Sequence, residues 1–227
     1  MRLLKLFGWL SLALVAALGG AAQAQMPVPD KEFKLISPPQ KPANPKKIEV
    51  IEFFSYACPH CADFDAPLQD WLKRKPKDVD YKAVPVVFRD TWKPLAKLYY
   101  TLETMGLLDK YHDKVFDAIH KGGQQLFDDQ AIIKWAGQQG IDADKFAQIY
   151  NSFGVDAKVQ RAMATGRAYG VQFTPSLAVN GKYYTGPSMV TAAGGGVDML
   201  RFFGVVDQLI GMERKRAVAP AAGKAKG

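Results

Sequence analysis

The spacing of hydrophobic side chains predicts an α/β unit in the first half of the chain. Residues 48–56 and 80–88 are apolar, branched or aromatic at most positions, which is typical of buried strands. Between them, residues 59–74 follow a helical pattern. The preceding residues 25–47 are rich in Pro and Lys, which predicts an extended arm with one short strand near residues 33–36.

The pattern then becomes helical over residues 93–169. Glycines that predict breaks in this block lie at Gly106, Gly122-Gly123, Gly140 and Gly154, and the predicted helix N-caps are Asp128 and Asp142. Two short strands follow, joined by a tight turn at Asn180-Gly181, and a last helix is predicted over residues 197–212.

The order of elements predicts an α/β domain that is interrupted by a helical one. The helical block is too long to be a loop, and removing it leaves a compact unit of strands and helices. We therefore expect the following divisions: a signal peptide at residues 1–24, an α/β domain at 25–90 and 158–213, an inserted helical domain at 91–157, and a disordered basic tail at 214–227.

The first residues predict export. Arg2 and Lys5 precede an apolar run over residues 6–18 that is too short to span a bilayer, and Ala22-Gln23-Ala24 fits the small-x-small cleavage pattern. We expect cleavage after Ala24 and a mature protein in an oxidising compartment; the alternative is an uncleaved amphipathic anchor.

The charge of the chain, +8 at pH 7, is concentrated partly at its end. Arg214-Lys215-Arg216 open an Ala-, Pro-, Gly- and Lys-rich stretch that is typical of a disordered, solvated terminus. No aromatic residues are interleaved with these basic residues, so we do not expect a nucleic-acid partner.

The two cysteines of the chain, Cys58 and Cys61, flank Pro59-His60 at the start of the predicted helix. Pro59 suits a first turn. The helix dipole and the free N–H groups there favour a thiolate at Cys58, and a donating His60 would add to this effect. Cys61, one turn further in, would be the resolving thiol. A stabilised thiolate stabilises the reduced form, so the pattern predicts an oxidising disulfide.

Two structural interpretations of these cysteines compete with the catalytic one. A chain of about 200 mature residues can bury a core without a disulfide, so a purely structural bridge is not needed. A zinc site would need four ligands, but the other histidines, His112 and His120, are eight residues apart, outside the usual spacing. We expect those two histidines to be surface or core residues of the helical block, and we expect no metal site.

A third polar residue lies within the first buried strand. Glu52 shares a strand face with Val50 and Phe54, and a carboxylate there would be costly to bury without a reason. The alternative is a carboxylate at the strand edge in contact with water.

The run from Glu52 to Cys61, EFFSYACPHC, resembles the active-site segment of the DsbA family of bacterial periplasmic thiol:disulfide interchange proteins. Residues 171–176 and 179–183 resemble the cis-proline strand of that family. The resemblance covers nearly all of the mature chain and is weakest in the N-terminal arm and the basic tail. It implies a thioredoxin-like fold with an inserted α-helical domain.

The resemblance also assigns roles to individual residues. Thr174, Pro175 and Phe173 would bind substrate, with the backbone of Thr174 pairing with an extended peptide; many relatives carry valine where this chain has Thr174, and isomerases of the superfamily also carry threonine. Glu52 would move a proton for Cys61, with Lys82 as its partner. On the residues alone, Pro175 could simply mark a strand edge and Lys82 could be an ordinary exposed lysine.

The implied function is a periplasmic oxidase that donates the Cys58–Cys61 disulfide to exported proteins with free cysteines. The implied partner is a membrane reoxidase of the DsbB type; no cofactor besides the disulfide is expected, and the chain is expected to be a monomer. Two alternatives remain: a disulfide isomerase or reductase, and a non-enzymatic chaperone or peptide-binding module that uses an apolar groove.

Overall fold

The structure, a computed structural model, describes residues 26–218, and the side chains of residues 217 and 218 are not part of the description. The predicted signal peptide and the last nine residues lie outside the described residues, so the predictions for them stay predictions. Within residues 26–218, no helix is long and apolar enough to cross a membrane.

Five strands form one mixed sheet in the order β1-β5-β4-β2-β3. The strands are β1 (Lys34–Leu35), β2 (Ile48–Phe54), β3 (Val79–Pro85), β4 (Ser176–Val179) and β5 (Tyr183–Thr185). β2 pairs in parallel with β3 and antiparallel with β4. The crossover between the parallel strands is α1 (Pro59–Arg74), whose bounds agree with the prediction. The active-site segment therefore leaves the carboxyl end of β2, an inner strand of the sheet.

Five consecutive helices make up the helical block between β3 and β4. They are α2 (Lys93–Thr104), α3 (Leu108–His120), α4 (Asp129–Gln138), α5 (Ala143–Tyr150) and α6 (Phe153–Ala168). The Asp128 and Asp142 side chains accept hydrogen bonds from the backbone N–H groups of Ala131 and Lys145, which confirms both predicted N-caps. The predicted domain boundary at residue 157 lies inside α6, because this helix continues from the block onto the sheet.

The last helix, α7 (Met199–Val218), continues beyond its predicted end. The prediction of a disordered tail from residue 214 is therefore wrong for residues 214–218. Arg214 makes two hydrogen bonds to the Asp78 carboxylate, at 2.6 and 2.8 Å, and Arg216 lies 3.5 Å from the buried carboxylate of Glu213. Arg214 and Arg216 are therefore paired with carboxylates of the folded protein.

Two hydrophobic cores pack against the sheet. Alternate residues of β2 point to opposite faces, so Val50 packs with α1 and α7, whereas Ile51 and Phe53 join the larger core that includes the helical block. Glu52 shares the face of Val50 and lies beneath the start of α1.

Candidate active site

Cys58 is the N-cap residue of α1 and lies directly after the turn that ends β2. Its backbone is extended, Pro59 follows in the first turn, and the N–H groups of Cys61 and Ala62 donate to the Cys58 carbonyl at 3.0 and 3.3 Å. Both cysteines are buried thiols in this structure. Pro59 and His60 are exposed. The sequence-predicted arrangement, with one sulfur at the helix start and the other one turn inside, is thus present.

The pKa values of the two thiols are shifted in opposite directions. The pKa of Cys58 falls to about 5, first because the Cys61 thiol donates a hydrogen bond to its sulfur, then because the Thr174 side chain and the backbone N–H groups of Cys61 and His60 favour the thiolate. Burial raises the pKa of Cys61, and the Cys58 sulfur raises it further. The pair therefore holds one proton, on Cys61, when Cys58 is ionised.

The loop before β4 faces the cysteines. The Thr174–Pro175 peptide bond is cis, and the Thr174 carbonyl oxygen lies 3.4 Å from Cys58 Sγ. The predicted proximity of Thr174 and Pro175 to Cys58 is thus observed.

Phe173 directly precedes Thr174 in this loop. Its ring packs against Tyr184 with the centroids 5.2 Å apart. A Cβ at Gly186 would lie 2.4 Å from the Phe173 ring, so only glycine fits there. The ring thus packs on β5 through Tyr184, and its implied contact with substrate stays a prediction.

Glu52 is buried, which excludes the alternative of a strand-edge carboxylate in water. Burial raises its pKa to about 8, the hydrogen bond donated by the Tyr81 hydroxyl opposes this shift, and the charge of Asp65 adds to it. The Glu52 charge in turn contributes to the raised pKa of Cys61. Glu52 is therefore a neutral acid at neutral pH, within electrostatic reach of the resolving thiol.

The predicted pairing of Glu52 with Lys82 is wrong. The parallel register places Lys82 beside Ile51, so its side chain lies on the other face of the sheet from Glu52. There Lys82 Nζ pairs with Glu49 at 2.7 Å. Tyr81, on the correct face, takes the place of the expected partner. Lys82 therefore has no contact with the cysteines.

Sequence reasoning missed a second polar group below the cysteines. Asp65, one turn beyond Cys61 on α1, has a pKa raised to about 6, chiefly by burial. Its Oδ1 lies 3.6 Å from Nε2 of His112 on α3. Asp65 does follow Cys61 at a helical spacing of four, which is the one signal that could have placed it near the site.

No group of three or more His, Cys, Asp and Glu side chains within residues 26–218 is arranged to hold a metal ion. The geometry brings together two thiols, the buried acids Glu52 and Asp65, and the Thr174 carbonyl oxygen.

Known proteins share both the sequence and the fold. A thioredoxin family model matches residues 44–198. The thiol:disulfide interchange protein DsbA of Bordetella parapertussis is 42% identical over 205 residues, covering 90% of this chain and 94% of the relative. That of Pseudomonas aeruginosa is 35% identical over 208 residues, covering 92% of this chain and 95% of the relative.

The crystal structure of Pseudomonas aeruginosa DsbA superimposes with a TM-score of 0.78 at 33% identity, covering 85% of this chain and 97% of that one. The shared fold includes the thioredoxin-like sheet and the inserted helices. The chain therefore belongs to the DsbA family of thiol:disulfide oxidoreductases.

Proposed function

We propose that this chain oxidises dithiols of exported proteins with its Cys58–Cys61 disulfide. A substrate thiolate attacks Cys58 Sγ, the bond between the two cysteine sulfurs breaks, and Cys61 leaves with the electron pair. A second substrate thiolate then attacks the substrate sulfur of the mixed disulfide and displaces the Cys58 thiolate. The substrate loses two electrons and gains a disulfide, and this chain is left as a dithiol.

The observation that carries this proposal is the lowered pKa of Cys58 beside the raised pKa of Cys61. A stabilised Cys58 thiolate favours the reduced protein, which makes the disulfide a strong acceptor of electrons. It is also a good leaving group in the second step. Both effects favour donation of the disulfide over reduction of a substrate disulfide.

Glu52 supplies the proton that the first step requires. The thiolate that forms at Cys61 is buried and has a raised pKa, so it must be protonated. Because the pKa of Glu52 is about 8, its carboxyl group holds a proton at neutral pH and can release it towards Cys61. Tyr81, which donates to the Glu52 carboxyl group, holds that group in place.

Substrate would bind as an extended segment against the Thr174–Pro175 loop, as the family resemblance implies. A groove of about 360 Å³ adjoins this loop through Val171 and Gln172; its apolar lining includes Val86, Phe88 and Met163. An apolar surface tolerates many sequences, which suits an enzyme that acts on unfolded chains.

The proposed setting is the periplasm, with the signal peptide cleaved after Ala24. Since the reduced chain must return its two electrons, we propose a membrane reoxidase of the DsbB type as partner. The protein would act as a monomer, with the cysteine pair as its sole redox group and no metal or other cofactor.

The test is stoichiometric oxidation of a reduced peptide that carries two cysteines. The oxidised wild-type protein should convert one peptide per protein, whereas Cys58→Ser and Cys61→Ser, neither of which can form the disulfide, should convert none. Reshuffling of a scrambled substrate without net oxidation would support an isomerase instead. A peptide-binding module would keep its binding activity in Cys58→Ser and show no oxidation.

A further inference from the structure

Tyr56, two residues before Cys58, makes hydrogen bonds with the helical domain through two of its atoms. Nε2 of His120 lies 2.8 Å from the Tyr56 carbonyl oxygen, and the Tyr56 hydroxyl lies 2.7 Å from Nδ1 of His112. Both histidines belong to α3, and Tyr56 itself is buried. One residue of the active-site turn is thus fixed by two side chains from a helix 56 and 64 positions further along the chain.

The hydrogen-bond partners of His112 and His120 determine which ring nitrogens carry protons. A carbonyl oxygen only accepts, so His120 carries its proton on Nε2. Nε2 of His112 is directed at Asp65, 3.6 Å away, and its proton belongs there, beside a carboxylate. Nδ1 of His112 therefore accepts from the Tyr56 hydroxyl. Burial lowers the pKa of His112 to about 4 and raises that of Tyr56, which keeps the imidazole neutral and the phenol protonated.

The chain of contacts from Tyr56 through His112 to Asp65 joins two parts of the active site. Tyr56 lies in the turn before Cys58, and Asp65 lies on α1, one turn beyond Cys61. Asp65 also interacts with Asp113 of α3 and with Gln69 of α1. α3 therefore bridges the turn and the helix that together carry the two cysteines.

The turn itself is in contact with both cysteines. The backbone N–H of Cys58 donates to the Ser55 carbonyl at 3.0 Å, and that of Ala57 donates to Ser55 Oγ at 3.1 Å. A backbone hydrogen bond from Ser55 favours the thiolate form of Cys61. A displacement of Tyr56 within this turn would move Cys58 relative to the N–H groups of α1 and to Thr174.

We propose that His112 and His120 are positioning residues, which hold the turn at Tyr56 so that Cys58 Sγ keeps the contacts that stabilise its thiolate. This inference rests on the proposed role of Cys58 as the attacked sulfur. It assigns the inserted helical domain a part in setting the reactivity of the thioredoxin-like domain, in addition to any part in substrate binding.

Aromatic packing alone does not account for these contacts. The Tyr56 ring packs against Phe116 and Phe54 with centroids 4.9 and 5.3 Å away, and a phenylalanine would keep that packing. Tyr99, in the same cluster with its centroid 6.4 Å from Tyr56, directs its hydroxyl to the Ala83 carbonyl instead. Tyr99 therefore offers a matched control for removal of one buried hydroxyl.

The experiment titrates Cys58 by thiolate absorbance in the reduced wild-type protein and in four variants. His120→Leu removes the donor to the Tyr56 carbonyl, whereas His120→Gln keeps an N–H at a similar reach. Tyr56→Phe removes the hydroxyl contact to His112, and Tyr99→Phe is its control. We expect His120→Leu and Tyr56→Phe to raise the pKa of Cys58 by about half a unit to one unit, the effect of one lost hydrogen bond.

His120→Gln and Tyr99→Phe should titrate like the wild-type protein. Urea unfolding of each variant distinguishes the positioning role from a merely structural one. A merely structural role would lower the stability of the protein without moving the midpoint of the Cys58 titration. The inference is overturned if Tyr56→Phe shifts the midpoint no more than Tyr99→Phe, or if His120→Gln shifts it as much as His120→Leu. The midpoint of the wild-type protein, by contrast, tests the proposed function itself.

Discussion

Replacing Glu52 with glutamine should stabilise the reduced protein, and the gain should grow with pH. The carboxyl group has a pKa of about 8 in the folded chain against 4.5 when unperturbed. An acid whose folded pKa is raised contributes stability that is fully present below the unfolded pKa and is lost as the pH rises through the folded pKa. The native protein therefore becomes less stable, through this group, between pH 4.5 and pH 8.

The magnitude follows from the difference in pKa. Relative to the unfolded chain, the raised pKa of Glu52 destabilises the folded protein by about 1 kcal/mol at pH 5, about 3 kcal/mol at pH 7 and about 5 kcal/mol at pH 9, at ~1.4 kcal/mol per pKa unit. Glutamine is not ionised in either state and can still accept the hydrogen bond that the Tyr81 hydroxyl donates. Glu52→Gln should therefore remove most of this cost.

The assay is urea unfolding of the reduced wild-type protein and of Glu52→Gln at pH 5, 7 and 9. The titration of Cys58 is common to both proteins and cancels in the difference. Glu103→Gln, which alters a partly exposed carboxylate paired with Lys158, is the control and should change stability by less than about 1 kcal/mol. A Glu52→Gln variant that is less stable at every pH, or whose gain is the same at pH 5 and pH 9, would refute the reasoning.

Three further substitutions test neighbouring parts of the structure. Thr174→Val removes a side chain that favours the Cys58 thiolate, so the pKa of Cys58 should rise by about half a unit to one unit in a thiolate titration; no rise would contradict the assigned contact. Gly181→Ala places a Cβ 2.0 Å from the Gln40 carbonyl at a positive φ, so the free energy of unfolding should fall by more than about 2 kcal/mol. Gly123→Ala, where φ is similar and the space is open, should lose about 1 kcal/mol, and equal losses would refute the close approach. Lys82→Met removes the partner of Glu49 and should lower stability by about 1 kcal/mol while the rate of peptide oxidation stays unchanged; a slower oxidation would restore Lys82 to the site.

Local sequence signals predicted the elements around the cysteines well. Pro59 in the first turn and the cysteine pair defined the start of α1, and the aspartates at residues 128 and 142 marked two helix starts through contacts only three residues long. These features depend on neighbours in the chain, which is why the sequence shows them.

The partner of Glu52 could not be predicted in the same way. It depends on the register between β2 and β3, which α1 and the packing of the whole sheet determine, and a shift of one residue moves a side chain to the other face. The family resemblance implies Lys82 as the partner, but Lys82 lies on the other face of the sheet and Tyr81 occupies the face of Glu52.

The side chains of α3 and α7 contact residues that are far away in the sequence, so local signals do not predict their partners. The two α3 histidines meet Tyr56 only because α3 packs beside α1, and their spacing of eight gave no hint of a common target. The basic end of α7 resembles a solvated tail in composition, whereas the Arg214 pairing with Asp78 appears only in the folded chain.

The reduction potential of the Cys58–Cys61 pair tests the central claim most directly, since the stabilised Cys58 thiolate should make the disulfide strongly oxidising. Equilibration with defined ratios of reduced and oxidised glutathione measures it. The account predicts a potential well above the value of about −270 mV that is typical of thioredoxin. A potential at or below that value would show that the pair is built to reduce its substrates, and would contradict the account.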